Sequence, residues 1–228
     1  MIIDQDIRQS FSSTRDYVYH VLRENIITLK LEPGTNISEK DISERLNVSR
    51  TPVREAFLKL VQDQLLEVYP QRGSFVTFID LNHVEEARFI REHLERAVLE
   101  TACDKFDQSA LAKLEVNIHM QRKCVEMKDY EQFFSLDEQF HQTIASGCNK
   151  NRVWNIIQHV NVHLNRVRLL SLVENYDWDP ILEQHEILLK GIKQKNKSLV
   201  KEIIIKHLSI VKDEQKRLFK EYPNYFKT

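Results

Sequence analysis

The sequence predicts a mainly α-helical protein in two parts: three short helices closed by a β-hairpin, then an all-α bundle of six or seven helices. Three observations predict it. Four Gly and five Pro in 228 residues leave few places where a helix must stop. Apolar residues recur at helical spacing along most of the chain. The one β-prone stretch lies after Gln64, where Leu-Leu-Glu-Val-Tyr-Pro and Ser-Phe-Val-Thr-Phe-Ile flank Gln71-Arg72-Gly73. A chain with 42% hydrophobic and 29% charged residues can fill one large core or two smaller ones. We place the parts at residues 10–80 and 83–222, separated by the polar break Asp80-Leu81-Asn82.

The first helix is expected over about Ser12 to Lys30, because Val18, Leu22, Ile26 and Leu29 share one face before Leu31-Glu-Pro-Gly34 stops it. A second starts near Ser38, whose side chain can cap it, and runs through Ile42 and Leu46 to a break at Asn47. A third starts at Ser49, another candidate cap, with Pro52 in its first turn and Val53, Phe57 and Leu60 as its apolar flank. A short helix, a tight break and a second capped helix make a helix-turn-helix, and a hairpin with Arg72 at its tip then makes a wing.

The exposed start of the third helix carries Ser49, Arg50, Thr51 and Arg54. Their hydroxyls and guanidinium forks, with the free N–H groups of a helix N-terminus, suit a phosphate backbone and the edges of guanines. Taken alone, the same residues also describe a solvated amphipathic helix. Net charge does not decide between them: it is −1 for the chain, and residues 1–80 hold ten Lys/Arg against twelve Asp/Glu, so a nucleic-acid surface must be a local patch.

Residues 12–80 resemble the DNA-binding domain of the GntR family of bacterial transcription regulators. The signature helix of that family, Ser-Arg-Thr-Pro-Val-Arg-Glu-Ala, stands at Ser49–Ala56, and its glycine-bearing wing is close to Arg72–Val76. By position, the resemblance implies DNA contacts at Lys40, at Ser49, Arg50, Thr51 and Arg54, and at Arg72 and Gly73. It also implies a homodimer on double-stranded operator DNA. Two positions depart from the family pattern, Gln64 and Gln71, where glycine is usual; neither is a base-reading position.

Beyond Asn82 helices are expected at about 83–103, 108–128, 130–147, 150–174, 179–195 and 197–220, with a break at Asp177–Pro180 among others. Cys103, Cys124 and Cys148 are an odd number at wide spacing, which fits reduced thiols rather than a disulfide framework or a zinc finger. The start, MIIDQDIRQSF, has acids where a signal peptide has bases, and no run is long enough to span a bilayer. No membrane partner is expected, and the expected compartment is the cytoplasm.

The chemistry of the second part lies in polar residues on apolar stripes. Asp137 falls among Phe133, Phe134, Phe140 and Ile144, with His141 one turn on. A carboxylate facing a core costs several kcal/mol unless it is paired or bound to a metal. His185 shares a face with Leu188, Leu189 and Ile192, and His207 with Ile203, Ile204, Ile210 and Val211. The turn between their helices centres on Asn196, eleven residues from each, so an antiparallel hairpin sets the two imidazoles level. A single inward histidine is commonly a hydrogen-bonded core residue; three with an aspartate suit Zn²⁺, Ni²⁺, Mn²⁺ or Fe²⁺, zinc foremost. The other two histidines of this half on helical spacing, His159 and His163, have a mixed face and are assigned to the surface or to a supporting role.

Residues 83–220 resemble the FadR-type C-terminal domain, FCD, in which many members carry an Asp-x-x-x-His pair and two later histidines as a metal site. Asp137, His141, His185 and His207 fall on all four positions, which implies the metal-containing branch. Arg91, between Ala87 and Leu94, and Arg168, one turn after Leu164, face inward. Each is read either as a clamp for a small carboxylate effector or as a structural ion pair, Arg91 with Glu95 for instance. The reading is a repressor whose operator affinity follows a small organic acid bound beside a metal. Two rivals stand: a sensor of the metal itself, and a metal-dependent enzyme using the same Asp and His residues. Against the enzyme, the spacing reveals no further inward carboxylate at a general-base position.

Overall fold

In the structure, a computed structural model that describes residues 6–174 and 178–227, the first helix starts where Ser13 accepts the amide of Asp16 at 3.1 Å. This helix, α1 (Thr14–Ile27), is shorter than expected. Thr28 closes it on Glu24 O, and Leu29 turns into the left-handed region at φ +57°, so Leu29 and Lys30 lie beyond the helix rather than on it. After β1 (Asn36–Ile37), α2 (Glu39–Leu46) is capped by Ser38, which accepts from Asp41 N at 3.0 Å, and is ended by Asn47 at φ +50°. α3 (Arg50–Gln62) buries Val53, Phe57 and Leu60 against the Val18, Leu22 and Ile26 face of α1. β2 (Leu66–Tyr69) and β3 (Gly73–Val76) form the wing, in antiparallel register from Leu66↔Val76 to Tyr69↔Gly73.

Two features of this region carry no sequence signal. β1 adds a third strand, in the order β1-β3-β2, from only two residues, too few to show alternation. Ile79, just past the wing, pairs with Phe226: Ile79 N donates to Tyr225 O and Lys227 N to Ile79 O, each at 2.9 Å, and Phe226 is buried. Accordingly the chain divides into one unit of residues up to Leu81 together with Phe219 onward, and another of Asn82–Leu218.

The second unit holds seven helices among its described residues: α4 (Leu81–Asp104), α5 (Gln108–Met127), α6 (Tyr130–Gly147), α7 (Asn151–Val160), α8 (Val162–Glu174), α9 (Asp179–Lys193) and α10 (Lys197–Glu221). The expected 150–174 helix is two, parted at Asn161. Asp107 and Asp129 cap α5 and α6 by accepting from Ala110 N and Gln132 N. The expected break at Asp177–Pro180 begins at a residue outside the described ones, as does the segment MIIDQ; Asp179 opens α9. Leu99, Leu114, Phe140, Trp154, Leu188 and Ile204 lie in the core. All three cysteines are free thiols; Cys103 and Cys124 are buried and Cys148 is half-buried.

The turn between α9 and α10 places the histidines. Asn196 donates its amide to Gly191 O at 2.9 Å, and its side chain caps α10 by accepting from Leu199 N at 3.0 Å. A Cβ on Gly191 would stand 2.6 Å from Val200 Cγ1, so only glycine lets the helices close there. The result is the level pair expected, with His185 and His207 ring centroids 4.8 Å apart.

Candidate nucleic-acid interface and metal centre

In the first unit Lys40, Ser49, Arg50, Thr51, Arg54, Arg72 and Gly73 are all exposed. Ser49 stands at the N-cap of α3 in extended conformation, but its side chain makes no capping bond, unlike Ser13 and Ser38. Its hydroxyl and the first-turn amides of α3 are therefore free to meet a phosphate, the arrangement that favours anions at helix N-termini. Arg72 lies over Tyr69 with its guanidinium carbon 5.6 Å from the ring centroid, which fixes the wing tip. The two departures from the glycine pattern have a common physical content: Gln64 at φ +59° and Gln71 at φ +62° both adopt the left-handed backbone that glycine enters without strain. Gly73 takes φ +108°.

In the second unit Asp137 and His141 of α6, His185 of α9 and His207 of α10 are buried together, with one potential ligand atom of each within 4.8 Å of all the others. His185 Nε2 stands 3.5 Å from Asp137 Oδ1, His141 Nε2 4.0 Å from Asp137 Oδ2, and His141 Nε2 3.2 Å from His207 Nε2. The groups on the far side of each ring decide what these nitrogens are. His141 Nδ1 lies 2.5 Å from the Glu95 carboxylate, which can only accept. For His185 the chain of reasoning starts at a backbone carbonyl: Leu136 O accepts from Asn117 Nδ2 at 3.0 Å, so Asn117 Oδ1 accepts from Gln121 Nε2 at 2.7 Å, and Gln121 Oε1 accepts from His185 Nδ1 at 2.8 Å. Gln184 Oε1 accepts from His207 Nδ1 at 2.9 Å. His185 and His207 donate from Nδ1, and the Glu95 carboxylate beside His141 Nδ1 favours the proton on that nitrogen although the two make no hydrogen bond of good geometry, so the three Nε2 atoms are left to present lone pairs toward one another.

Two lone pairs 3.2 Å apart repel unless a cation lies between them, and two nitrogens each about 2.1 Å from one ion stand about 3.0 Å apart in octahedral and about 3.4 Å apart in tetrahedral ligation. Burial pushes the His185 imidazole down to about 3, and burial with the neighbouring imidazoles holds His207 well below its ordinary value, so a proton is a poor occupant. Burial also opposes the Asp137 charge, but Arg168, His141 and His185 facing it hold its carboxyl far below the usual range. An anionic oxygen and neutral imidazoles are the donors a divalent transition ion takes, so the residues present fit a metal.

Arg168 lies against this set: it bonds Asp137 Oδ2, Glu138 Oε1 at 2.5 Å and Asn165 Oδ1 at 2.8 Å. Arg91 is fully buried, pairs through Nε with Glu95, and keeps Nη1 4.0 Å from Glu138 Oε1. Its two terminal nitrogens make no hydrogen bond among the described residues. A pocket of about 50 Å³ opens beside Asp137, Arg168 and His207; Arg91 is not on its wall.

Two further carboxylates stand beside the candidate ligands, Glu95 against His141 and Glu138 against Arg168. Both are held ionised in ion pairs. Burial opposes each charge, but Arg91 and His141 hold Glu95 down to about 2, and Arg168 and Arg91 lower Glu138. Neither is a free base. Gln121, Gln184, Asn117 and Asn165 were also missed; buried amides on mixed helix faces carry no pattern of their own. His159 is exposed, but His163 is buried with its ring 5.2 Å from that of His83.

Residues 14–76 match the family described as bacterial regulatory proteins, gntR family, and residues 86–209, more than half of the chain, match the FCD domain. The chain belongs to the GntR family. As a GntR-family chain with an FCD domain it is a transcription regulator and not an enzyme, and no described helix is long and apolar enough to cross a membrane. It is 34% identical to the HTH-type transcriptional repressor RspR of Escherichia coli K12 over 92% of each chain. It is 29% identical to the gluconate operon transcriptional repressor of Bacillus subtilis 168, over 92% of this chain and 88% of the relative. Among solved structures it resembles McbR/YncC of E. coli, with a TM-score of 0.79 and 25% identity over 93% of this chain and all of the other.

Proposed function

We propose that this GntR-family regulator represses transcription as a homodimer on double-stranded operator DNA and that a small carboxylate, bound beside a divalent transition metal, controls its affinity. Support comes from one observation above the rest: three imidazoles, two of them fixed by an amide acceptor on Nδ1 and the third with Nδ1 against the Glu95 carboxylate, offer Nε2 lone pairs beside the Asp137 carboxylate. In this reading Asp137, His141, His185 and His207 hold the ion, zinc foremost, and Arg168 receives the effector. Arg91 contributes buried positive charge through Glu95 and Glu138. A bound divalent ion supplies Lewis-acid attraction for a carboxylate, with no reaction following.

On the DNA side, Arg54 and Arg50 read base edges from the exposed start of α3, while Lys40, Ser49, Thr51, Arg72 and Gly73 set register on the phosphates. Effector binding changes the spacing of the two recognition helices in the dimer. Half-sites recur on a fixed helical repeat, so a change of a few ångströms weakens the complex. The B. subtilis relative is named for an operon of an organic acid, which agrees with a carboxylate signal.

The test is elemental analysis of purified protein after equilibration with zinc, followed by operator mobility shifts with metal alone and with candidate acids. One ion per chain and a shift in affinity on adding an acid are expected. No retained metal would sink the metal half of the reading, and a response to metal alone would make the metal itself the signal.

A further inference from the structure

Arg168 is bonded to the carboxylate that a metal ion would need, on Oδ2, while Oδ1 stands 3.5 Å from His185 Nε2. Its Nη2 bonds Asp137 Oδ2 and its Nη1 bonds Glu138 Oε1 and Asn165 Oδ1, so it occupies one face of the only carboxylate among the four ligands. It also stands on the wall of the 50 Å³ pocket together with Asp137 and His207. The rest of that wall is largely apolar, with Phe133, Val167, Leu172 and Ile181; Glu214 is there too, but Ser171 at 2.9 Å and Arg217 at 2.7 Å already engage it.

The charges nearby can be counted. With neutral imidazoles, as metal ligation requires, Asp137, Glu95 and Glu138 stand against Arg91 and Arg168, which leaves one negative charge. A divalent ion turns that into one positive charge, and a buried net charge is costly until it is matched. One monoanion neutralises the site; a dianion, or an anion bound without metal, leaves it charged. We propose that Arg168 couples metal to effector. It guards Asp137 in the absence of metal and turns to a small monocarboxylate with an apolar body once a cation takes Asp137, so the two ligands bind cooperatively. This rests on the metal reading above and adds the class of the effector and the order in which the ligands bind.

The test is calorimetry on the full chain. Propionate is titrated into zinc-loaded and chelator-stripped protein, with succinate as the dianionic comparison, and zinc is titrated into stripped wild type, Arg168→Gln and Arg168→Lys; thermal melts confirm that the variants fold. Zinc is expected to tighten propionate binding about tenfold or more, within the usual range of coupling between two sites. Arg168→Gln removes the guard, so it should bind zinc tighter than wild type and lose the effect of zinc on propionate. Arg168→Lys keeps the charge and should bind zinc near the wild-type affinity. A merely structural arginine gives the opposite sign, with zinc weakened in Arg168→Gln. That result overturns the proposal, as do equal propionate binding with and without zinc, zinc binding without any propionate binding, and tighter succinate than propionate. Failure of the wild type to bind zinc overturns the metal reading itself.

Discussion

The two units solve opposite problems. In the winged helix the residues assigned to function are exposed, lie between Lys40 and Gly73, and rest on a scaffold whose apolar face points the other way. In the bundle the four candidate metal ligands are buried, come from three helices, and depend on outer partners from α4, α5 and α9 for their orientation. A surface that reads a rigid partner needs only local geometry, whereas a buried polar centre must satisfy every donor and acceptor at once. Substitution should therefore act one contact at a time in the first unit, whereas in the second it should spread from an outer partner to the ligand it orients.

The sharpest way to break that contrast is to replace both His185 and His207 with Ala. Bound zinc, measured by elemental analysis, should be abolished, with mobility shifts still showing DNA binding; loss of DNA binding at the same time would mean the units do not divide the work. Next comes Gln121→Leu, which leaves all four ligands in place and removes the acceptor on His185 Nδ1. Zinc affinity should fall about 10- to 100-fold, the usual effect of losing such an outer partner. In the first unit Arg54→Ala should cost about 1 to 3 kcal/mol of operator binding and relax sequence preference, as loss of a base-edge contact does. Lys40→Ala should weaken all DNA alike and reduce the salt slope by about 1. Smallest of all, Gln64→Gly and Gln71→Gly should each stabilise the winged helix by about 1 kcal/mol in denaturant melts by relieving left-handed strain.

What could be read in advance follows from the same contrast. Ser38, Asn47, Pro52 and the Arg72-Gly73 turn announce α2, α3 and the wing because capping and turn chemistry are local. The four candidate ligands were legible because a polar residue on an apolar stripe violates its own helix, and because Asn196 sits midway between His185 and His207. Gln121 and Gln184 were not, nor was the contact of Glu95 with His141. Each lies on a helix where a polar residue breaks no pattern, and its role arises only from packing between helices distant in sequence. Two-residue β1 and the Ile79–Phe226 pairing were beyond reach for the same reason: one or two backbone bonds leave no periodicity.

The Ile79–Phe226 pairing bears on how the molecule is made. A chain emerging from the ribosome presents α1, α2, α3 and the wing first, and such a unit ordinarily folds while the rest is being synthesised. Here the backbone groups of Ile79 wait for Tyr225 and Lys227, which are translated after all four candidate metal ligands. The winged-helix unit is thus begun before the bundle and finished after it, and a chain terminated within the bundle holds an unfinished reader.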